Sequence, residues 1–136
     1  MLLVPSTSEQ TLNKFMLGVL TPGDQRLKLF VNSYTPDDTT IAGNLTEMST
    51  LGYAEKALTK TSWVVTAGST GNPASAAYAV QTWTFTAGTP VTVYGYYITD
   101  VTTGLLLWVE SFAAPKVVQY AGDQIIITPI ITLSRT

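Results

Sequence analysis

Two neighbouring runs of β-forming residues, Val91–Thr103 and Leu105–Phe112, constrain the fold of this chain more than any other feature. Both are rich in apolar, aromatic and β-branched side chains, and a short Asp/Thr/Gly segment joins them, which is the pattern of a β-hairpin. Because side chains alternate along a strand, neither face of the first run is cleanly polar. Such a hairpin must be covered on both faces, by a second sheet, a helix or another chain. Ala113–Pro115 is expected to end it.

Shorter strands separated by Gly, Pro and Asp turns are predicted on either side of this hairpin. The clearest is Arg26–Asn32, in which Leu27, Leu29 and Val31 share one face. Further strands are predicted over residues 61–66, 76–86, 116–120 and 124–133. Pro129 lies inside the last run, so an edge strand or a bulge is expected there. The pattern indicates an all-β fold, an antiparallel β-sandwich or jelly-roll-like domain over residues 21–136.

Residues 1–20 are predicted to form an N-terminal arm and one short helix. Ser6 and Glu9 fit the Ser-x-x-Glu capping box, in which two side chains satisfy free amides of the first helical turn. Apolar residues follow at the spacing of one helical face: Leu12, Phe15, Met16 and Val19. Ahead of the helix, Leu2, Leu3 and Val4 form an apolar arm that docks either on its own chain or on a neighbour.

The composition excludes several classes of function. The 136 residues include no His and no Cys, which removes the commonest general base, the commonest metal ligand and the thiol nucleophile. The formal net charge of −2 provides no basic field to hold nucleic acid or anionic lipid. No apolar run approaches the ~20 residues of a membrane span, and the first residues do not form a signal peptide. We therefore expect no cofactor, no metal, no nucleic-acid or membrane partner, and synthesis in a cytoplasm.

The few charged side chains are unevenly distributed. Residues 1–60 carry eleven of them, whereas residues 61–136 carry five. A soluble domain normally presents a mixed, charged surface to water. The charge-poor second part therefore predicts a surface that meets protein, including further copies of the chain. The alternative is a soluble β-domain that uses hydroxyl groups for solvation.

The acidic residues do not form a recognisable catalytic pair. Asp37 and Asp38 are adjacent, and adjacent side chains on an extended chain diverge. Asp100 and Asp123 lie in predicted turns, where Asp bonds its own backbone. The spacing of a calcium-binding loop is missing. The sequence therefore predicts that the protein is not an enzyme.

Glu110 is the acid in the most unusual surroundings, because it shares one face of an apolar strand with Trp108 and Phe112. It could be a buried acid with a raised pKa, the partner of Lys116 or Arg135 in an interfacial ion pair, or an exposed edge residue.

Aromatic residues could form a platform that stacks on sugars or bases, but they dominate cores and subunit interfaces more often. The residues concerned are Trp63, Trp83, Trp108, Tyr94, Tyr96 and Tyr97. Our candidates for partner contact, taken from the arm and the charge-poor strands, are Leu2, Leu3, Val4, Trp83, Tyr94, Tyr96, Trp108 and Glu110.

Two blocks of the chain combine turn glycines, aromatic strand residues and a Thr-Pro-Asp turn. The first contains Leu27–Pro36, Leu45–Glu47, Gly52–Ala54, Leu58 and Trp63. The second contains Val93–Thr99, Leu107–Glu110, Gly122–Asp123 and Ile127–Pro129. Together they resemble a family of small virion-associated proteins of tailed bacteriophages, over most of the chain from about Leu27 to Leu133.

The resemblance implies a head decoration, or cement, protein on the outer surface of the capsid. Such a protein is an oligomeric β-sandwich, often a homotrimer, and it binds the major capsid protein. By burying interface area in the assembled state only, it would stabilise contacts between capsid subunits. The alternative that the resemblance leaves open is a tail or fibre module with receptor or glycan binding.

Overall fold

The computed structural model describes residues 24–66 and 74–133. In these ranges the chain forms nine strands and two single-turn 3-10 helices, Ala42–Asn44 and Lys60–Ser62. The strands are β1 (Gln25–Phe30), β2 (Lys56–Leu58), β3 (Val64–Thr66), β4 (Ala74–Ala77), β5 (Gln81–Thr84), β6 (Val91–Asp100), β7 (Leu106–Val118), β8 (Gln124–Ile127) and β9 (Ile130–Leu133). Every strand pair is antiparallel, which confirms the all-β prediction. The predicted arm and helix over residues 1–20 lie outside the described residues.

The predicted hairpin forms the centre of the largest sheet, whose strand order is β2-β1-β6-β7. Its turn is closed by Asp100, whose Oδ1 accepts hydrogen bonds from the backbone N–H groups of Thr102 at 2.8 Å and Thr103 at 2.9 Å. Gly104 follows with a φ of 71°, a conformation that glycine adopts without a steric penalty. The remaining strands form a three-stranded sheet, β3-β4-β9, and a two-stranded sheet, β5-β8.

The prediction that Ala113–Pro115 ends the hairpin is wrong, because β7 continues to Val118. The ladder shifts its register instead. Val93 pairs with Lys116 and Gly95 with Ser111, so one residue of β6 lies opposite four of β7. The excess residues form a bulge that contains the proline, which has no N–H to donate to a regular ladder.

Two predicted long strands are each divided between the smaller sheets. The run predicted over residues 76–86 becomes β4 and β5, and the run over residues 124–133 becomes β8 and β9. An edge strand or a bulge was expected at Pro129, but the proline instead separates β8 from β9, and its carbonyl accepts a hydrogen bond from Tyr78 N at 2.9 Å. The chain therefore crosses twice between the same two sheets.

Strand β6 of the central hairpin is buried on both faces by the chain's own residues, whereas β7 is mostly exposed from Ser111 to Val117. On one face the two-stranded sheet β5-β8 completes the main core, whose buried members are Leu27, Leu29, Met48, Leu58, Trp83, Phe85, Val93, Tyr96, Ile98, Val118, Ile125 and Ile127. On the other face a second cluster consists of Phe30, Leu45, Tyr97, Leu106 and Val109. The loop between β1 and β2 covers this cluster with Leu45, Tyr34 and Ala42. The sequence predicted two-sided cover, and this loop provides the second side without another chain.

Two aspartates hold tight turns through backbone hydrogen bonds. Asp123 Oδ2 accepts from Gln119 N and Tyr120 N, both at 2.8 Å, and these bonds lower the pKa of its carboxyl. Asp37 Oδ1 accepts from the hydroxyl and the backbone N–H of Thr39, each at 2.8 Å, which lowers its pKa as well. The turn role predicted for Asp123 is confirmed.

These turns predict a defined loss of stability in acid. A carboxyl whose pKa is lower in the folded state contributes stability above its unfolded pKa, near 3.8, and loses it as the pH falls through the folded value. We expect the urea midpoint to fall below about pH 4, and the double variant D37N/D123N to show a flatter acid profile. D38N, which removes one neighbouring exposed charge, is the control. A double variant with the full acid loss of the wild type would contradict the assignment.

Candidate contact surfaces

The structure does not bring the predicted contact residues together on one surface. Leu2, Leu3 and Val4 lie outside the described residues. Trp83 belongs to the main core and is 3% exposed, so little of its side chain is open to a partner, and its predicted contact role stays a prediction. Its indole N–H donates to the carbonyl of Ala54 at 2.8 Å.

The remaining candidates divide between the two faces of the central hairpin. Tyr94 packs against the second cluster, whereas Tyr96 belongs to the main core and Trp108 packs against it. Tyr96 pairs with Glu110 across β6 and β7, and Ile98 pairs with Trp108. Whether Tyr94, Trp108 or Glu110 contacts a partner stays a prediction.

Glu110 accepts a short hydrogen bond from Tyr96. The hydroxyl of Tyr96, a residue that is 8% exposed, donates to Glu110 Oε2 at 2.5 Å. Burial raises the pKa of Tyr96 well above its ordinary value, and the hydrogen bond to Glu110 raises it further. The Lys116 ammonium, which the sequence offered as an ion-pair partner, lies 5.1 Å from the ring centre of Phe112. Arg135 lies outside the described residues.

This pair lies at the base of a groove between the first sheet and β9. The groove has a volume of about 330 Å³ and is lined by Tyr96, Glu110, Thr128, Ile130 and Thr132. Its lining combines one carboxylate, which accepts the hydrogen bond from Tyr96, with the hydroxyl and aliphatic groups of the other residues.

Removing the tyrosine hydroxyl tests the role of the pair. Y96F leaves the Glu110 carboxylate without its donor, so we expect the free energy of unfolding to fall by about 1–2 kcal/mol. E110Q and the double variant complete a mutant cycle, measured by urea unfolding at neutral pH. Additive single effects would contradict a direct coupling between the two side chains.

A compact ion-pair network lies on the opposite face of the first sheet. Lys28 Nζ lies 3.0 Å from Glu47 Oε2 and 3.1 Å from Glu55 Oε2, and Arg26 Nε lies 3.0 Å from Glu55 Oε1. The Tyr53 hydroxyl donates to Glu47 Oε1 at 3.0 Å. Each carboxylate in the network already has a cation partner. We therefore interpret the network as a group that stabilises the fold. Within residues 24–66 and 74–133 no three potential metal-binding side chains form a group.

The aromatic residues considered as a stacking platform are dispersed through the interior. Trp63 packs edge-on against Tyr78 with ring centres 5.3 Å apart, and its indole N–H donates to Gln25 Oε1 at 2.8 Å. Tyr97 is buried, and that burial, reinforced by Glu47, raises its pKa to about 12. These residues therefore form parts of the core and not one exposed shelf.

The most exposed apolar strand is β3, at the outer side of the three-stranded sheet. Val64 is 69% exposed and Val65 is 73% exposed, although consecutive side chains point to opposite faces of a strand. Val64 pairs with Ala77, which pairs with Ile130. These three residues therefore form an apolar row across one face of the sheet, and Ile130 continues it into the groove.

Comparison with protein families decides the identity of the chain. Residues 7–133 of the 136 match the family described as podophage GP4 fiber I protein gp80. The chain belongs to this family. Membership in the gp80 family confirms the bacteriophage virion protein that the two sequence blocks resembled.

The gp80 family is described as a fibre protein and not as a head protein. The match therefore favours the fibre alternative over the head decoration protein that the sequence analysis placed first, and capsid decoration has no specific support. No curated protein matches the chain. In the described part of this gp80 family member, no helix has the length and apolar character needed to cross a bilayer.

Sequence reasoning missed two surface features of this gp80 family member. It predicted a strand over residues 61–66, of which only Val64–Thr66 is a strand, and it gave no reason to expect both faces of this strand in water. It also placed Ile130 on a terminal strand without linking it to Tyr96 and Glu110, which lie about 20 to 34 residues earlier. Both features depend on which strands become neighbours, and only the absence of charge near Val65 hinted at the first.

Proposed function

We propose that this chain is a structural part of a podophage fibre, in which it acts through protein–protein contacts and has no enzymatic activity. The observation that carries this proposal is the match to a fibre protein family over residues 7–133. The structure of the described residues supports it, since the acidic side chains are used in turns, ion pairs and one buried hydrogen bond.

A structural role has more support than binding of a receptor glycan. A sugar platform requires an aromatic face that is open to solvent, and the aromatic residues considered for it are buried or half-buried. The exposed large apolar side chains are aliphatic, as at Val64, Val65 and Ile126, with the single aromatic exception of Tyr120 among the described residues. Aliphatic surface of this kind favours contact with protein, either with other fibre components or with further copies of the chain.

The position of the chain on the virion tests this proposal. Antibodies raised against the purified chain and labelled with gold are applied to particles of a phage that encodes it, and negative-stain electron microscopy records the label. We expect gold on the fibres. Label spread over the head would contradict the proposal and support capsid decoration, with the major capsid protein as partner. Particles assembled without the chain provide the control for label specificity.

A further inference from the structure

Strand β3 exposes both of its faces and one of its edges. It is the outer strand of the order β3-β4-β9, so one row of its backbone N–H and C=O groups has no strand partner among the described residues. The strands β5 and β8, by contrast, each bury one face, through Trp83 in β5 and through Ile125 and Ile127 in β8. An apolar strand that is open on both faces and one edge is a template for pairing with another strand.

The two outer strands of the first sheet carry features that discourage such pairing, and β3 does not. The strand β2 begins with Lys56, and β7 contains Glu110, Lys116 and a proline within its bulge. Charges, proline and bulges are the means by which natural edge strands avoid association. No residue from Thr61 to Thr66 is charged. The edge of β3 is therefore open to a partner that the edges of the first sheet would reject.

We propose that β3 pairs with β3 of a second copy of the chain, antiparallel and around a two-fold axis at Val65. In this register Val65 lies opposite Val65, and Val64 lies opposite Thr66, so that no charge or proline enters the ladder. The two three-stranded sheets then form one continuous six-stranded sheet. The strand is self-complementary, as a two-fold contact requires.

The strand directions disfavour the main alternative, in which β3 pairs with β9 of the next copy. Both strands run antiparallel to β4 and are therefore parallel to each other. Head-to-tail joining of whole sheets would create a parallel β3–β9 pair, which is slightly less stable per residue than an antiparallel one. Pairing of β3 with itself is antiparallel by symmetry.

The neighbouring strands enlarge the contact beyond three residues. The row Val64–Ala77–Ile130 of each copy would share one face of the joined sheet, because residues directly opposite in a ladder share a face. Ile130 is 46% exposed, so this face still has apolar area to bury. The contact is smaller than a standard interface of ~1,600 Å², so we expect dissociation on dilution. It predicts a species of two chains in place of the homotrimer that the resemblance implied, and it holds whether or not the chain is part of a fibre.

The mass in solution tests the pairing. Light scattering behind a sizing column is expected to show twice the 14.6 kDa of one chain at high concentration. V65K and V65E would each place like charges opposite one another, and we expect each to raise the dissociation constant about tenfold or more. Mixing the two variants places opposite charges together and should restore the two-chain species. I126K is the matched control, because Ile126 is 56% exposed on β8 of another sheet.

A cysteine variant gives a second, independent measurement. The chain has no cysteine, so V65C introduces a single thiol. Two-fold pairing brings both copies of residue 65 to a Cα separation of about 4.5–5.5 Å, within the range of a disulfide. Mild oxidation should then give a two-chain band on a non-reducing gel, and I126C should not. A wild-type monomer or trimer, no restoration in the mixture, or equal cross-linking of V65C and I126C would each overturn the proposal.

Discussion

Replacing Gly95 with alanine is expected to lower the free energy of unfolding by about 3 kcal/mol or to prevent folding. A Cβ at this position would collide with the carbonyl oxygen of Glu110 and would lie 2.6 Å from Cε1 of Phe30. Phe30 is fully buried in the second cluster and has no free space to occupy. The Glu110 carbonyl is a backbone group, so a change of rotamer cannot move it away. The pairing of Gly95 with Ser111 holds the two strands together at this point.

Urea unfolding followed by tryptophan fluorescence measures this effect, and G43A is the control. A Cβ at Gly43 would have Ile41 Cδ1 as its near neighbour, at 3.8 Å, which is an ordinary contact. We expect G43A to change the stability by less than about 1 kcal/mol. Equal stabilities of G95A and G43A would contradict the close approach of β6 and β7 at the bulge.

Replacing Trp83 with alanine is expected to cost about 3–5 kcal/mol of unfolding free energy. The ring stacks on Tyr53 with centres 6.3 Å apart and planes inclined by 17°. Its loss would leave a cavity in the main core and the Ala54 carbonyl without its donor. The urea midpoint and the near-ultraviolet circular dichroism should both report the change.

This variant also tests the sequence prediction that Trp83 contacts a partner. A core residue should reduce stability when it is truncated, whereas a contact residue should reduce association with little change in stability. V80A is the matched control, since Val80 is 56% exposed and lies outside β3, and we expect a change in stability of about 0.5 kcal/mol or less. If the W83A chain stays as stable as the wild type and loses only its association, Trp83 is a contact residue, as the sequence predicted.

The central hairpin was predictable because its information is local. The apolar runs of β6 and β7, the Asp100 turn and Gly104 all lie within one stretch of chain, and alternation along a strand depends on the backbone alone. The need for cover on both faces followed from the same pattern. That the second cover is the loop carrying Tyr34 and Leu45 did not follow, because its contacts with Tyr97 span more than 50 residues.

The prediction that Ala113–Pro115 ends a strand was wrong because it also depended on contacts with a distant part of the chain. Proline excludes a regular ladder hydrogen bond but does not exclude extended backbone. Whether a strand stops or forms a bulge depends on what its partner offers beyond the proline, and here Val91–Val93 pairs with Lys116–Val118. The partner strand thus decided between two structures that the local sequence allowed equally.

For the candidate contact surfaces, too, the sequence predicted the general character and the structure decided which residues are exposed. The shortage of charge after residue 60 predicted contact with protein, and this stays a prediction. Which side chains are available for it could not be read from composition. Trp83 and Val65 are both apolar residues of short strands, yet one is enclosed by Tyr53 and Lys56 and the other is exposed.

By itself, the sequence determined the class of this protein: all-β, antiparallel, built on one hairpin, and part of a bacteriophage virion. Strand periodicity and turn chemistry are properties of neighbouring residues, so they can be read along the chain. Only the tertiary structure decided which strands are neighbours, that Glu110 accepts from Tyr96, and that β3 remains open on both faces. Burial depends on contacts between distant segments, and those contacts exist only once the sheets have packed.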